Sequence, residues 1–405
     1  MKIEWKYGGI IIMDIIEQVG AKLDLEEGTA VIEQVIRECY VAPGISTKNL
    51  ARRVHLPVPV TVAVKKELMK KEILKQDRGV RCTVKGNILV EQELDFQGLN
   101  KTLYHKLISI EANWLDECQD VLAVLNQLFA ERPQVDVQLD QSQCTAETSL
   151  RRAILCLKEH ALIGKRILCI GDDDLVSISI GLLLKKLFPA KQRFRTVIHV
   201  MDIDCRFLQF ISDFTEKEGL PITCIEHDMR YPLGKTYVAS YDCFFTDPPY
   251  TLNGLGLFLA RGIQALKSNQ GRQIFLSFAH KSPEFMLEMN RLFVQMGLSI
   301  VATYPNFNSY VGAQMIANQS QMLILKTTAA THIADNWRTF YTDPIYTGEL
   351  KQSERIYSCK HCGEKYRVGY TGRYKTIEQL KQEGCPNCNS SNGIFILKGK
   401  VTKKR

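Results

Sequence analysis

The sequence predicts an α/β fold, a largely parallel sheet covered by helices on both faces, and two observations carry that reading. From Arg166 onward, short apolar runs alternate with helical stretches: strand 166–171, helix 175–188, strand 196–202, helix 205–219, strand 222–228, strand 241–247, helix 254–267, strand 272–279, helix 283–297, and closing strands near 298–304 and 321–326. A run such as Ile167-Leu-Cys-Ile170, apolar without alternation, suits a strand buried on both faces. The second observation is that successive strands end on acids, at Asp172, Asp202, Asp228 and Asp247. In open α/β sheets ligands bind at that carboxyl edge.

The remaining elements follow in chain order. Residues 1–28 form an amino-terminal segment whose first dozen residues fit no element; the Gly8-Gly9 pair there reads as a translated ribosome-binding sequence, which makes Met13 the expected natural start. Region 29–98 reads as a helix from Thr29 to Tyr40, a Pro43-Gly44 break, a helix begun by Ser46 and running to Val54, and a third ending near Leu74. Gly79 to Gly86 then alternates like a short hairpin. Three helices and a hairpin in this order resemble a winged helix. Lys65, Lys66, Lys70 and Lys71 near the third helix would suit DNA, but a dimerisation or lid module with a solvated lysine face is the favoured reading. Region 99–138 is a linking helical region, with unbroken periodicity from Leu99 to Ala130 ended by Arg132-Pro133. The main domain spans 139–330. Its start, Thr145-Ala-Glu147-Thr148, suggests a capped helix from Leu150 to His160. Two closing strands with no clear helix between them suit the antiparallel end of a methyltransferase-like Rossmann sheet.

Composition bounds the function less tightly. With 45% hydrophobic and 24% charged residues the chain is an ordinary globular protein, long enough for two or three domains. Its net charge of +8 comes largely from Lys48 to Lys85 and from the tail after Lys351, so it says little about the central site. Thirteen cysteines, an odd number, point to a reducing cytoplasm rather than a disulfide framework. The apolar stretch from Gly8 to Ile16 is too short to span a bilayer and is interrupted by Asp14. No membrane association is expected.

The strand ends carry the chemistry. Gly171-Asp172-Asp173-Asp174-Leu175 places three carboxylates after the first strand, where a helix cap would need only one. Asp202, in Asp202-Ile-Asp204, lies about where nucleoside-binding sheets hold ribose hydroxyls. Asp228 is placed to accept from an adenine amino group, and His227, without a second ligand at metal spacing, reads as structural. The fourth strand ends in Asp247-Pro-Pro-Tyr250. Two prolines stiffen that loop and remove donors, leaving carbonyls and a carboxylate to accept from an attacking nitrogen, while Tyr250 offers a π face to a cation. That assembly suits alkylation of an amine by a sulfonium donor.

Asp-Pro-Pro-Tyr alone looks like methyltransferases that act on amino nitrogens of nucleic acids or glutamine. Their first-strand loop, however, is usually glycine-rich. The acidic triplet departs from it, because at short range each carboxylate opposes a donor carboxylate by up to about 4 kcal/mol and favours a donor bearing only an ammonium. Together with Asp140-Gln141, Glu147-Thr148, Asp228-Met-Arg230 and Arg261-Gly262, the chain from Thr29 to Lys326 resembles the branched-chain polyamine synthases, the N(4)-bis(aminopropyl)spermidine synthases. The resemblance implies aminopropyl transfer from decarboxylated S-adenosylmethionine to the secondary amine of spermidine, with methylthioadenosine leaving. It implies Asp172 and Asp247 holding and deprotonating the acceptor nitrogen beside Tyr250. Gln141, Gly171, Asp173, Asp174, Asp202, Asp204 and Asp228 would bind the substrates. The alternative is an S-adenosylmethionine-dependent amino-methyltransferase acting on nucleic acid; a DNA-binding regulator would have lost the strand-end acids. The expected partners are the polyamine and a second copy of the chain, with nucleic acid less favoured.

The tail, 331–405, carries Cys359-Lys-His-Cys362 and Cys385-Pro-Asn-Cys388. Two such knuckles fit a tetrahedral structural zinc ribbon with four thiolate ligands. Arg355, Lys360, Lys365, Arg367, Arg373 and Lys375 make it basic, and Lys400 to Arg405 reads as a disordered end.

Overall fold

The structure is a computed structural model that describes residues 12–109, 113–268, 270–311, 318–350, 354–369, 372–374, 377–388 and 395–401. The Gly8-Gly9 segment, Lys375 and the end of the terminal basic run lie outside them, and Met13 falls within the first described helix. The chain divides into two compact units. One comprises Met1–Val135, Ser142–Pro248 and Phe258–Tyr341; the other comprises Asp136–Gln141, Pro249–Leu257 and Thr342–Arg405.

The first unit begins with helices α1 (Ile12–Leu23), α2 (Ala30–Val41), α3 (Thr47–Arg53) and α4 (Val58–Lys70), the strands β1 (Leu74–Gln76) and β2 (Val80–Cys82), and helix α5 (Val84–Glu93). Ser46 caps α3 by accepting from the Asn49 amide, as its position in the sequence suggests. β1 and β2 pair antiparallel, so the hairpin lies earlier than the alternation of 79–86 indicates. The reason is Thr83, whose hydroxyl accepts from the Gly86 amide and turns the second half of that stretch into the start of α5. At the turn Gly79 has φ +107°, and a Cβ there would stand 2.0 Å from the Gly44 carbonyl oxygen, so glycine is required.

The long periodicity of 99–130 is divided among α6 (Lys101–Ile108), α7 (Trp114–Glu117) and α8 (Gln119–Glu131) rather than forming one helix. Asn100 and Asn113 each cap a new start, and Cys118, at φ −124°, breaks the chain between α7 and α8. Apolar spacing marks the buried face but does not see caps within it.

The sheet follows the predicted alternation closely: β3 (Gln143–Cys144), α9 (Ala146–Lys158), β4 (Arg166–Ile170), α10 (Val176–Leu187), β5 (Val197–Asp202), α11 (Cys205–Glu218), β6 (Ile222–Glu226), β7 (Cys243–Thr246), α12 (Leu252–Ala265), β8 (Gln273–Ala279), α13 (Pro283–Gln295), β9 (Leu298–Val311) and β10 (Gln319–Thr327). The strand order is β3-β9-β10-β8-β7-β4-β5-β6. β6, β5, β4, β7 and β8 are parallel, and β10 inserts antiparallel between β8 and β9. That order reverses at β4, which places a crevice at the carboxyl ends of β4 and β7. The strands around it are apolar on both faces, with Ile167 to Ile170 and Phe244 fully buried. Helix α12 lies so close to β7 that a Cβ on Gly262 would stand 2.1 Å from the Phe244 ring. Beside it the fully buried Arg261 ties two loops together. Its guanidinium donates to the carbonyls of Met229 and Arg230 after β6, and to those of Trp337 and Thr339.

The second unit contains α14 (Thr347–Leu350), β11 (Glu354–Cys359), β12 (Lys365–Val368), α15 (Ile377–Glu383) and β13 (Phe395–Val401). β12, β11 and β13 form an antiparallel sheet over a small core of Tyr357, Val368, Tyr374, Leu380 and Phe395. Within the same unit the Asp140 carboxylate accepts from the Thr347 amide at 2.7 Å, and the Thr251 hydroxyl donates to the Ile345 carbonyl at 2.5 Å. Among the described residues no helix is long and apolar enough to cross a membrane.

Candidate active site

The three adjacent acids after β4 have three different environments. Gly171, at φ +72°, and Leu175, at φ +51°, bend the chain sharply between β4 and α10. Asp172 turns its carboxylate into the start of α10: Oδ1 accepts from the Val176 amide at 2.8 Å, and Oδ2 from the Ser177 amide at 3.1 Å and the Ser177 hydroxyl. It is the one cap the helix needs. Burial pushes this carboxyl up to about 7, against hydrogen bonds from Ser177 and Val176 that favour its ionised form. Asp174 is also buried and is spent on the protein. Its Oδ1 accepts from the Cys144 amide at 2.8 Å and its Oδ2 from Arg152 Nη1 at 2.6 Å.

Asp173 differs from both. It is only partly buried and its carboxylate accepts from the Ser142 amide at 3.2 Å. Burial, and after it the carboxylates of Asp174, Asp202 and Asp247, hold its carboxyl well above the ordinary range. Asp172 to Asp174, Gly171, Arg152, Phe245, Thr246, Asp247 and Ser277 line one small cavity.

Asp247 enters that cavity from the end of β7. Its Oδ2 accepts from the Tyr310 hydroxyl at 2.6 Å and from Arg152 Nη2 at 3.3 Å. Arg152 and Tyr310 belong to α9 and β9, and neither stands out as a site residue in a reading of strand ends. Arg152 could have been noticed: it falls within the apolar face formed by Leu150, Ala153, Ile154 and Leu157, where an unpaired guanidinium would be costly to bury.

The β5 side of the crevice is organised by Asp202. Its Oδ2 accepts from the Asp172 amide at 3.1 Å and its Oδ1 from the Asp204 amide at 2.9 Å, so it also fixes the loop bearing the triplet. Burial raises its carboxyl. Asp204 caps α11 and pairs with Arg206 at 2.6 Å. Its carboxylate thus serves the start of its own helix. Asp228 accepts from the Arg230 amide at 2.9 Å, on the loop that Arg261 ties. His227 Nε2 donates to the Tyr231 carbonyl at 3.2 Å, in keeping with a structural part. Of the other expected residues, Gln141 and Tyr250 belong to the second unit, where Gln141 Oε1 accepts from the Asp136 amide at 2.7 Å.

In the second unit the four cysteines of the two knuckles converge. Their sulfur atoms all lie within 4.8 Å of one another, with Cys359 to Cys388 at 3.9 Å and Cys362 to Cys385 at 3.5 Å. Zinc–sulfur bonds of about 2.3 Å in a tetrahedron set sulfur pairs about 3.8 Å apart, so the donor set fits zinc with no position left for a substrate. The Tyr366 hydroxyl lies 3.0 Å from the Cys385 sulfur and would steady that ligand. Zinc bound here would hold the ribbon folded. Cys385→Ala is expected to remove zinc, read as the loss of about one metal per chain by mass spectrometry. Limited proteolysis would then cut within 354–401 while the sheet around β4 stays protected; an unchanged metal content would count against the assignment.

A parallel sheet of this order, with an acid at the end of its second strand and an Asp-Pro-Pro loop on its fourth, has the arrangement of a group transferase of the methyltransferase-like Rossmann fold. Within that class the chain belongs to the branched-chain polyamine synthase family: residues 120–362 match the family model of the branched-chain polyamine synthase A C-terminal domain. It is 37% identical over 371 residues to a Methanocaldococcus jannaschii protein described only as uncharacterised, covering 90% of this chain and 89% of that one. It is 29% identical over 303 residues to the N(4)-bis(aminopropyl)spermidine synthase of the same organism, covering 73% and 82%. Among solved structures, the Thermus thermophilus branched-chain polyamine synthase, in complex with N4-aminopropylspermidine and 5'-methylthioadenosine, aligns over 83% of this chain and 96% of its own at 20% identity and a TM-score of 0.49.

Proposed function

We propose that the chain transfers aminopropyl groups from decarboxylated S-adenosylmethionine to the secondary amine of spermidine, forming branched polyamines and methylthioadenosine. The observation that carries this reading is the charge of the cavity. Asp172, Asp173, Asp174 and Asp247 line it, and its guanidinium, Arg152, is committed to protein carboxylates at 2.6 and 3.3 Å rather than held for an anionic ligand. A donor with an α-carboxylate would push the raised carboxyls of Asp172 and Asp173 further from ionisation and so be disfavoured, whereas sulfonium and ammonium charges draw them towards the ionised form. Family membership and relatives named N(4)-bis(aminopropyl)spermidine synthase support the same reading.

In this reading the acids divide the work. Asp172 builds the helix start and Asp174 anchors Arg152, so the proton-handling part assigned to Asp172 on sequence grounds passes in this proposal to Asp173, with Asp247 orienting the acceptor. The inner ammonium of spermidine gives its proton to a carboxylate. The freed lone pair attacks the carbon bonded to sulfur, the carbon–sulfur bond breaks towards sulfur, and neutral methylthioadenosine leaves. The product is a tertiary ammonium; after it loses its own proton, a second transfer makes a quaternary ammonium, which no longer needs a base. Asp202 and Asp228 are assigned to the nucleoside, with Gly171 leaving the backbone open beside it. Tyr250 and Gln141 remain part of the proposal as a π face and a polar contact. The expected partner protein is a second copy of the chain.

Incubating the purified chain with spermidine and either sulfonium compound tests the reading. Successive mass gains of one and two aminopropyl groups with the decarboxylated donor only are expected. Methylation of RNA or DNA with no polyamine product would replace this reading with an amino-methyltransferase.

A further inference from the structure

The buried guanidinium of Arg152 sits at the centre of a polar network that no strand-end motif contains. All three of its nitrogens donate: Nε to Asn308 Oδ1 at 2.9 Å, Nη1 to Asp174 at 2.6 Å, and Nη2 to Asp247 at 3.3 Å and to the Tyr310 hydroxyl at 3.2 Å. Asn308 is held in turn by the Ser277 and Ser320 hydroxyls and the Gln321 carbonyl, and Tyr310 also meets Ser320 at 3.0 Å. The network therefore joins α9, the triplet loop, β7, β8, β9 and β10. Arg152, Asn308 and Ser320 are shut off from solvent.

Fold stability does not demand this arrangement, because a buried ion pair is often no better than apolar side chains of equal volume. What it does supply is orientation. A carboxylate at the end of a strand turns freely about χ2, whereas one whose Oδ2 is gripped from two directions, by a hydroxyl on β9 and a guanidinium on α9, presents its other oxygen in one direction. The guanidinium also opposes the neighbouring carboxylates. The charged and titratable groups in this cluster are Asp173 and Asp174 on the triplet loop, Asp202 at the end of β5, Tyr310 on β9, Arg152 on α9 and Cys144 on β3. Arg152 is the single cation among them.

We propose that Arg152, with Tyr310, is the positioning residue of the transfer reaction: it holds Asp247 in one orientation and in its ionised form, ready to accept a hydrogen bond from the acceptor nitrogen. This rests on the aminopropyl-transfer reading of the same cavity. Arg152 does not touch the substrates; it acts through Asp247. Removing its positive charge withdraws an attraction that favours the ionised carboxylate of Asp247, which moves the acid side of the turnover profile to higher pH.

The test uses Arg152→Met/Asp174→Asn, which removes the guanidinium together with its closer carboxylate so that Asp174 is not left buried without a counter-charge, alongside Arg152→Lys and Tyr310→Phe. For the double variant, kcat at neutral pH is expected to fall about 100-fold or more with KM for spermidine changed less than about threefold. Its acid limb should move up by about one pH unit. Arg152→Lys should recover about tenfold of the loss, since it restores charge without the fork, and Tyr310→Phe should show a smaller loss with a smaller shift. A crystal structure of the double variant should show the Asp247 carboxylate turned, a result that does not depend on which substrate is used. An unmoved acid limb, a loss carried by KM alone, or an unturned Asp247 would each overturn the proposal. A wild-type chain inactive with the decarboxylated donor would instead overturn the reading on which it rests, leaving the Asp247 orientation to be judged from the crystal structure. Should the double variant fail to fold, the kcat and pH profiles of Arg152→Lys and Tyr310→Phe decide the matter.

Discussion

Asp247→Asn is expected to lower kcat by about 10²- to 10⁴-fold, the range over which removing a positioned acid–base group acts, with little change in melting temperature. The side chain is isosteric, so the hydrogen bond from Tyr310 to its Oδ2 survives if the amide oxygen takes that place. The amide nitrogen then points at the acceptor amine and offers a proton where one must be removed. Donor binding is expected to survive, because the acids assigned to the nucleoside, Asp202 and Asp228, lie on other strands. Single-turnover measurements with spermidine check the rate, and calorimetry checks the retained donor affinity. Turnover within about threefold of wild type would remove Asp247 from the mechanism.

The second large effect separates two neighbours in sequence. Asp173→Asn is expected to cost about 10²-fold or more in kcat, whereas Asp172→Asn is expected to act mainly on stability, by about 1–2 kcal/mol, because Asn is an acceptable helix cap that lacks the charge. The sign of the pH dependence follows from burial. Asp173 is held in its protonated form well above the ordinary carboxylate range by burial and by the carboxylates of Asp174, Asp202 and Asp247. It must be ionised to take a proton, so turnover rises with pH, and a bound polycation draws the ionised form down towards neutrality by the same Coulomb interaction. Stopped-flow measurement with a pH indicator should therefore detect protons released when spermidine binds wild type, and fewer when it binds Asp173→Asn. If Asp172→Asn proved the more damaging to kcat, this division of labour would be reversed.

The central sheet was legible because its inner strands are apolar without alternation and four of its parallel strands lead into an aspartate; from β4 to β10 the elements fall close to where the pattern puts them. The cysteine knuckles were legible for a similar reason, since zinc geometry leaves few other uses for that spacing. What sequence pattern could not show was direction. Three consecutive aspartates look alike on paper, and only the αL turn at Leu175 decides that Asp172 points into α10 while Asp174 points at α9. Arg152 escaped notice because helices carry arginine routinely, and its meaning depends on Asn308 and Tyr310, more than 150 residues away in the chain. The division of the helical region 99–130 into three helices and the displaced hairpin have a local cause: asparagine and threonine caps interrupt a periodic face without disturbing its period.

The division of the triplet bears on how such a site diverges. Asp172 answers to a helix, Asp174 to a guanidinium and Asp173, in the function proposed above, to the substrate, so identity at these three positions says nothing about which one selects the acceptor. A lineage that changes its amine substrate can vary the surroundings of Asp173 alone and leave its flanking aspartates untouched. Relatives that look invariant across Gly171 to Leu175 can therefore differ in the polycation they take.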